Sequence, residues 1–304
     1  MQYTHINDEV KLSRIVLGCM RIANLGPTAV RDLIETALDA GINFFDHADI
    51  YGGGRSEEVF AEALAQEKGL REKLFIQTKC GIRPGFYDFS KEHILQSVDG
   101  SLKRLKTDYV DVLLLHRPDT LMEPEEVAEA FTALEKAGKV RFFGVSNHNP
   151  MQIELLQQAL PQKIMFNQLQ FGPAHTGMID AGINVNMLTD GAIVRDGGVL
   201  EYSRLKKITI QAWSPLQFGF FEGVFLDHPS FAKLNTVLER IADEHGVPKS
   251  AVAIAWILRH PAQMQVVVGT TKSGRLKELC RATEVELSRK EWYEIYQAGG
   301  RELP

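Results

Sequence analysis

VDVLLLH, residues 110–116, carries five apolar side chains in seven positions, the composition of a strand buried on both faces. Similar runs recur at Ser13–Cys19, Asn43–Ala48, Leu74–Cys80, Val140–Ser146, Ile164–Gln170, Ile208–Pro215 and Gln265–Thr271, which with Val110–His116 makes eight expected strands. Amphipathic segments of helical length lie between them. Thr28 is placed to cap a helix whose apolar stripe is Val30, Leu33, Ile34, Ala37 and Leu38, with Gly41 as its stop. Ser90–Leu105 sets Ile94, Val98, Leu102 and Leu105 on one face, and Pro124 to Gly138 brackets Val127, Phe131 and Leu134 at helical spacing. Phe231–His245 and Ser250–His260 read as two more helices, the second ending ahead of Pro261. Strand and helix in alternation mean βαβ units and a parallel sheet, and eight of them favour a closed (β/α)8 TIM barrel over an open doubly wound sheet. The chain therefore reads as a single α/β domain over residues 1–304.

Two segments fall outside that alternation. QYTHINDEVKLS, residues 2–13, reads as a β-hairpin expected to plug the N-terminal end of the barrel. Residues 172–204 hold six glycines and no clear hydrophobic period. A loop of that length in a compact domain is usually functional, and here it is expected to wall a substrate site on the C-terminal face.

Composition narrows the function classes. Thirty-four Lys and Arg against 39 Asp and Glu leave a net charge of −5, which argues against a nucleic-acid partner, since phosphate binding needs a basic excess. No apolar run is long enough to span a membrane. The N-terminus has neither the basic region nor the apolar core of a secretory signal, so the cytoplasm is the expected compartment. Cys19, Cys80 and Cys280 are too few and too scattered for a disulfide framework or a zinc site. Alternation turns Cys80 away from Lys79, so it is expected as a buried, inert thiol. His148, His175 and His228 have no metal-ligand spacing and read as surface or loop residues. No metal is expected, and a monomer is the expected state.

In a (β/α)8 barrel the chemistry sits at the C-terminal ends of the strands. Titratable residues cluster there: Asp46, His47 and Asp49 after NFF, Lys79 after LFIQT, and His116 after VDVLLL, with Tyr51 in the loop that follows Asp46. One polar residue ending a strand is ordinarily a rim residue; three successive strands delivering Asp, Lys and His, with a Tyr in reach, point to a catalytic set. An ammonium beside a phenol favours phenolate, so Lys79 is expected to lower the Tyr51 pKa and make it a proton donor near neutral pH. Asp46 would hold Lys79 charged, and His116 would donate a hydrogen bond to a developing alkoxide. The residues alone leave other chemistries open: a Schiff-base aldolase with Lys79 as nucleophile, a metal-dependent hydrolase on Asp46, His47, Asp49 and His116, or a regulatory barrel that binds a cofactor without turnover.

FFDHADIYGGG, FIQTKCG, LLLHRPD, FFGVSN, FNQLQ and QAWSPL follow one another at the expected strand ends, and together they resemble the successive motifs of the aldo-keto reductase family, in a spelling similar to its bacterial YdhF-like oxidoreductase branch. The resemblance covers nearly the whole chain and implies reduction of a small-molecule aldehyde or ketone by NADPH. It places the catalytic tetrad on Asp46, Tyr51, Lys79 and His116, with Tyr51 as general acid. It places the nicotinamide contacts on Ser146, Asn147 and Gln168, the stacking aromatic on Trp213, and the pyrophosphate lining on Ser214 and Leu216. It also implies that Met20, Arg21, Asp46, Thr270, Lys272, Arg275 and Glu278 bind cofactor, with Lys272 and Arg275 anchoring the 2′-phosphate beside a helix N-terminus. Here the chain departs from the family pattern: Gly269 and Thr270 stand where Lys-Ser is usual, and Leu279 where Asn is usual. His47 also departs, since Thr is common there, and either adjusts the Asp46 environment or points into the wall. Phe218, Phe220 and Phe221 either line an apolar pocket or pack the base of their loop.

Overall fold

The computed structural model describes residues 1–6, 10–65 and 69–301. Eight parallel strands close into a barrel: β1 (Ile15–Gly18), β2 (Phe44–Asp46), β3 (Phe75–Cys80), β4 (Val110–Leu115), β5 (Val140–Ser146), β6 (Ile164–Gln170), β7 (Thr209–Trp213) and β8 (Gln265–Val268). Each pairs with its sequence neighbours, and β8 closes on β1 with Val266 opposite Ile15. Several strands are shorter than predicted; β2 stops at Asp46 and β7 at Trp213. Past Asp46 the His47 N–H still donates to the Gln77 carbonyl at 2.8 Å, whereas Ser214, with φ 47°, turns the chain away from the β7 ladder.

The helices alternate as the sequence requires: α1 (Pro27–Asp39), α2 (Arg55–Leu64), α3 (Lys91–Leu105), α4 (Pro124–Lys136), α5 (Pro150–Ala159), α6 (Gly177–Ile183), α7 (Val199–Lys206), α8 (Ala232–His245), α9 (Lys249–Leu258), α10 (Ser273–Cys280) and α11 (Arg289–Ala298). Thr28 does not cap α1. Pro27 takes the first helical position and Gly26 the cap, because a proline there gives up only an N–H that would have no partner anyway. Ser90 does cap α3, accepting from the His93 N–H. The stretch 172–204, expected as a loop, contains α6 and the start of α7. At seven and eight residues these helices are too short for their period to stand out.

Two apolar layers result. The helical stripes bury against the outside of the barrel, with every residue of Ala251–Leu258 on α9 buried and Trp256 stacked on Trp292 of α11 at 4.8 Å. Inside, Val16, Phe44, Phe75, Val112, Leu114, Phe166 and Val267 form a separate floor. The N-terminal hairpin seals it: Tyr3–His5 pairs antiparallel with Lys11–Ser13, and Leu12 joins the interior cluster. Residues 7–9 of the expected hairpin lie outside the described residues. Gly144 on β5 shows how tight the wall is, since a Cβ there would stand 2.6 Å from Leu114 and 2.7 Å from the Phe166 carbonyl. No helix among the described residues is long and apolar enough to cross a membrane.

Candidate active site

The apolar floor fills the lower barrel, and a polar layer lies above it. Asp46 ends β2 and Lys79 lies on β3; both side chains are buried, with Lys79 fully so. Lys79 Nζ donates to Asp46 Oδ1 at 2.6 Å, to the His47 carbonyl at 2.8 Å and to the Tyr51 hydroxyl at 3.1 Å. These bonds use all three ammonium protons. Burial works against the charge on Lys79, but Asp46 and then Tyr51 outweigh it, and its pKa is raised.

Tyr51 is brought over the barrel mouth by a short helical turn, Tyr51–Gly54. Gly52, Gly53 and Gly54 all have positive φ (60°, 63° and 94°), and a Cβ on Gly52 would meet Ala23 at 2.5 Å. The Tyr51 pKa does not fall as expected. Burial of the hydroxyl raises it above 10, and Lys79 pulls it back only in part. His116 follows β4 with its ring edge-on to Tyr51 at 6.0 Å. Burial, then the charges of Lys79 and Arg117, push its pKa well below the usual histidine value, so the ring is neutral. The structure thus joins Asp46, Lys79, Tyr51 and His116 in one cluster.

The sequence reading missed what lies beneath Asp46. Gln77 and Gln168 each donate to Asp46 Oδ1 (2.6 and 3.2 Å) and to Gln211 Oε1 (2.9 and 3.1 Å). Gln211 donates to Gln265 at 2.9 Å, and Gln265 donates to the Ser13 carbonyl of the hairpin at 2.9 Å. The signal was strand parity: Gln77 is two residues before Lys79, and Gln211 two before Trp213, so each pair faces the same way.

At the rim the expected nicotinamide contacts meet in one chain. Ser146 Oγ donates to the Gln168 carbonyl at 2.9 Å, Asn147 Nδ2 to Ser146 Oγ at 2.8 Å, and Trp213 Nε1 to Asn147 Oδ1 at 3.2 Å. Asn147 and Ser214 hold left-handed backbones, φ 58° and 47°, a strain that clusters at functional sites. Ser214 Oγ donates to Gln217 at 2.8 Å, while Leu216 packs on the core. Beyond β8, Arg21 reaches the Gly269 carbonyl at 3.5 Å, and Thr270 Oγ1 accepts from the Lys272 N–H at 3.2 Å. Lys272, Arg275 and Glu278 lie exposed on or just before α10, and Met20 is exposed on the β1 side. None of these touches the tetrad.

A cavity of about 640 Å³ opens beside this rim, lined among others by Arg117, Asn149, Gln152, Gln170, Asp190, Arg195, Trp213 and Phe220. The 172–204 stretch supplies its outer wall, as expected. The aromatic group divides: Phe220 lines the cavity, Phe221 stacks on Trp213 at 5.8 Å, and Phe218 packs on Phe231 and His228 at the loop base. His148 is not a surface residue; it is buried, stacks on Phe89, and has a pKa pushed down to about 4 mainly by burial. His47 points into the wall, edge-on to Phe60 of α2 at 4.5 Å. Asp46 and His47 therefore face opposite sides of the strand. Among the described residues no three His, Cys, Asp or Glu side chains are grouped to hold a metal ion. Cys80 is buried and its thiol pKa is raised by that burial.

A profile of the Aldo/keto reductase family matches residues 14–299. A 6-dehydroglucose reductase of Agrobacterium fabrum is 38% identical over 318 residues that cover 100% of both chains. The oxidoreductase YdhF of Escherichia coli is 36% identical over 306 residues, 97% of this chain and 96% of that one. Among solved structures, a thermostable aldo-keto reductase in complex with the inhibitor epalrestat superposes with a TM-score of 0.77 at 26% identity, covering 98% of this chain and 100% of that one. The match runs through all eight strands rather than resting on one motif, and the chain belongs to the aldo/keto reductase family.

Proposed function

We propose that the protein is a cytoplasmic NADPH-dependent reductase that converts an aldehyde to an alcohol, with Tyr51 as general acid. The observation that carries this reading is Lys79 Nζ held between Asp46 Oδ1 at 2.6 Å and the Tyr51 hydroxyl at 3.1 Å, at the mouth of the barrel. A raised Tyr51 pKa keeps the phenol protonated at neutral pH, as a donor must be before it acts. Lys79 then stabilises the phenolate that remains, and neutral His116 offers an N–H to the substrate oxygen. NADPH fits the residues present. Ser146, Asn147 and Gln168 converge beside the Trp213 ring, and Lys272 and Arg275 have no ion-pair partner among the described residues. When bound, NADPH supplies the hydride that the carbonyl carbon receives.

The substrate class we propose is a polyhydroxylated aldehyde. Arg117, Asn149, Gln152, Gln170, Asp190 and Arg195 set donors and acceptors among the apolar side chains Leu169, Met178, Ile193 and Val199, so hydroxyl groups can be hydrogen-bonded while the carbon skeleton packs on the wall. The relative named 6-dehydroglucose reductase supports the same class. NADPH oxidation measured with 6-dehydroglucose and with hexanal tests it. The expected kcat/KM ratio is at least ~10² in favour of the sugar, because a site that hydrogen-bonds hydroxyls discriminates strongly against analogues lacking them. Equal rates would overturn the substrate class, and no NADPH oxidation with any carbonyl compound would overturn the reductase reading.

A further inference from the structure

The four buried glutamines beneath Asp46 form a chain with only one workable polarity. An amide can turn either its NH2 or its C=O towards a neighbour, and the network decides which. The Ser13 carbonyl can only accept, so Gln265 must present Nε2 to it, at 2.9 Å. Gln265 Oε1 then faces Gln211, which must answer with its own Nε2, at 2.9 Å. That turns Gln211 Oε1 upward, where it accepts from Nε2 of both Gln77 and Gln168, at 2.9 and 3.1 Å. The second proton of each of these nitrogens reaches Asp46 Oδ1, at 2.6 and 3.2 Å. Reversing the chain would set carbonyl against carbonyl at Ser13 and carbonyl against carboxylate at Asp46. The acceptor left over is Gln77 Oε1, which is buried without a partner, and an orphaned carbonyl is less costly than an orphaned N–H.

We propose that Gln211 and Gln265 are positioning residues: anchored on the hairpin that plugs the barrel, they force Gln77 and Gln168 to present N–H donors, not carbonyls, to Asp46. The proposal rests on the reductase reading for its catalytic consequence, since it is Asp46 that holds Lys79 against Tyr51. Gln265 contacts none of the proposed cofactor residues, whereas Gln211 bonds one of them, Gln168, at 3.1 Å, which makes Gln265 the position further from the cofactor site. Both are fully buried within the barrel.

The other titratable groups about Asp46 are Lys79, the Tyr51 hydroxyl and the Cys19 thiol, with His47 and His116 set around Lys79. All of them remain in the variants Gln211→Met and Gln265→Met, so a change in pH response reports on the amides. Losing the enforced donors weakens the ionised form of the cluster, and the acid limb of the kcat–pH profile is expected to move up by about one unit in Gln211→Met. Gln265→Met, one amide further away, should move it less. A second readout needs no cofactor: the side-chain NH2 protons of Gln77 and Gln168, buried and doubly hydrogen-bonded in the wild type, should exchange faster in both variants. If Gln211→Met does not fold, Gln211→Asn keeps the amide carbonyl and NH2 but shortens their reach and carries the same test. A lowered melting temperature with an unmoved acid limb and unchanged amide exchange would overturn the proposal, leaving the glutamines as packing. A wild type that oxidises no NADPH would overturn the reductase reading instead, and the amide exchange would still decide the polarity.

Discussion

Lys79 divides the chemistries that a barrel with a buried lysine allows. A Schiff-base nucleophile must offer a nitrogen lone pair, but the ammonium of Lys79 spends its three protons on Asp46, the His47 carbonyl and Tyr51, and its pKa is raised. Borohydride added with an aldehyde substrate should therefore leave no mass gain on Lys79 by intact-mass and peptide analysis. Lys79→Met should lose most NADPH-dependent reduction at neutral pH. A substrate-dependent adduct on Lys79, with carbon–carbon cleavage that ignores NADPH, would favour the aldolase. The residue scale also shows where sequence reasoning was incomplete: Lys79 does pull the Tyr51 pKa down, but burial raises it by more. Proximity of Lys79 was expected to lower the Tyr51 pKa, but desolvation depends on how deeply the phenol is buried, and no motif encodes that.

At the scale of elements, the strands were legible, their ends less so, and short helices were not. The runs that define β5 and β6 match their predicted bounds, and pairing carries through to their polar ends, with Gln168 opposite Ser146 and Gln170 opposite Trp213. Elsewhere the strand stops early, as where Ser214 turns with φ 47°, and pairing alone does not announce where that happens. The glutamine chain is legible in retrospect by parity, but only once the closed barrel has brought β3, β6, β7 and β8 to face one another. Helix α10 carries the cofactor prediction. Replacing both Lys272 and Arg275 by Ala should weaken NADPH binding by about 10–100-fold in a fluorescence titration, a range reduced for their exposure, and leave NADH nearly unchanged. Equal losses for both cofactors would show that these side chains read no 2′-phosphate.

For the whole molecule, buried ionisable groups set the response to acid. His47 and His148 have pKa values pushed down to about 3 and about 4, in both cases first by burial. Each is neutral when folded and takes up a proton when unfolded below about 6.5, so the stability it permits is full above that value and is lost as pH falls towards the folded value. Asp49 acts in the opposite sense: burial raises its pKa to about 7, so folding gains as pH falls from there towards the usual carboxylate range. His116 and His260 are depressed in the same sense, so the histidines outnumber the one aspartate and leave a net loss on acidification. Each histidine accounts for roughly 2 kcal/mol between pH 7 and 5, and Asp49 offsets about one of them. The melting temperature should fall over that interval, and less steeply in His47→Leu than in the wild type. A steeper fall in that variant would contradict the assignment. The barrel itself was the most legible feature of the chain, since eight alternations and a sealing hairpin follow from hydrophobic pattern alone. The burial of His148 did not follow, and the wall position of His47 was only one of two open readings, because each depends on what its neighbours pack against: Phe89 in one case and Phe60 in the other.

The central claim is that Tyr51 delivers the proton, and a single-turnover measurement tests it most directly. Enzyme loaded with NADPH is mixed with the aldehyde substrate, and cofactor oxidation is followed in the wild type and in Tyr51→Phe, which retains the ring and removes only the hydroxyl. The account predicts a rate at least ~10²-fold lower in the variant, the usual contribution of general acid catalysis, with NADPH affinity barely changed. A variant that keeps more than about half the wild-type rate would contradict it.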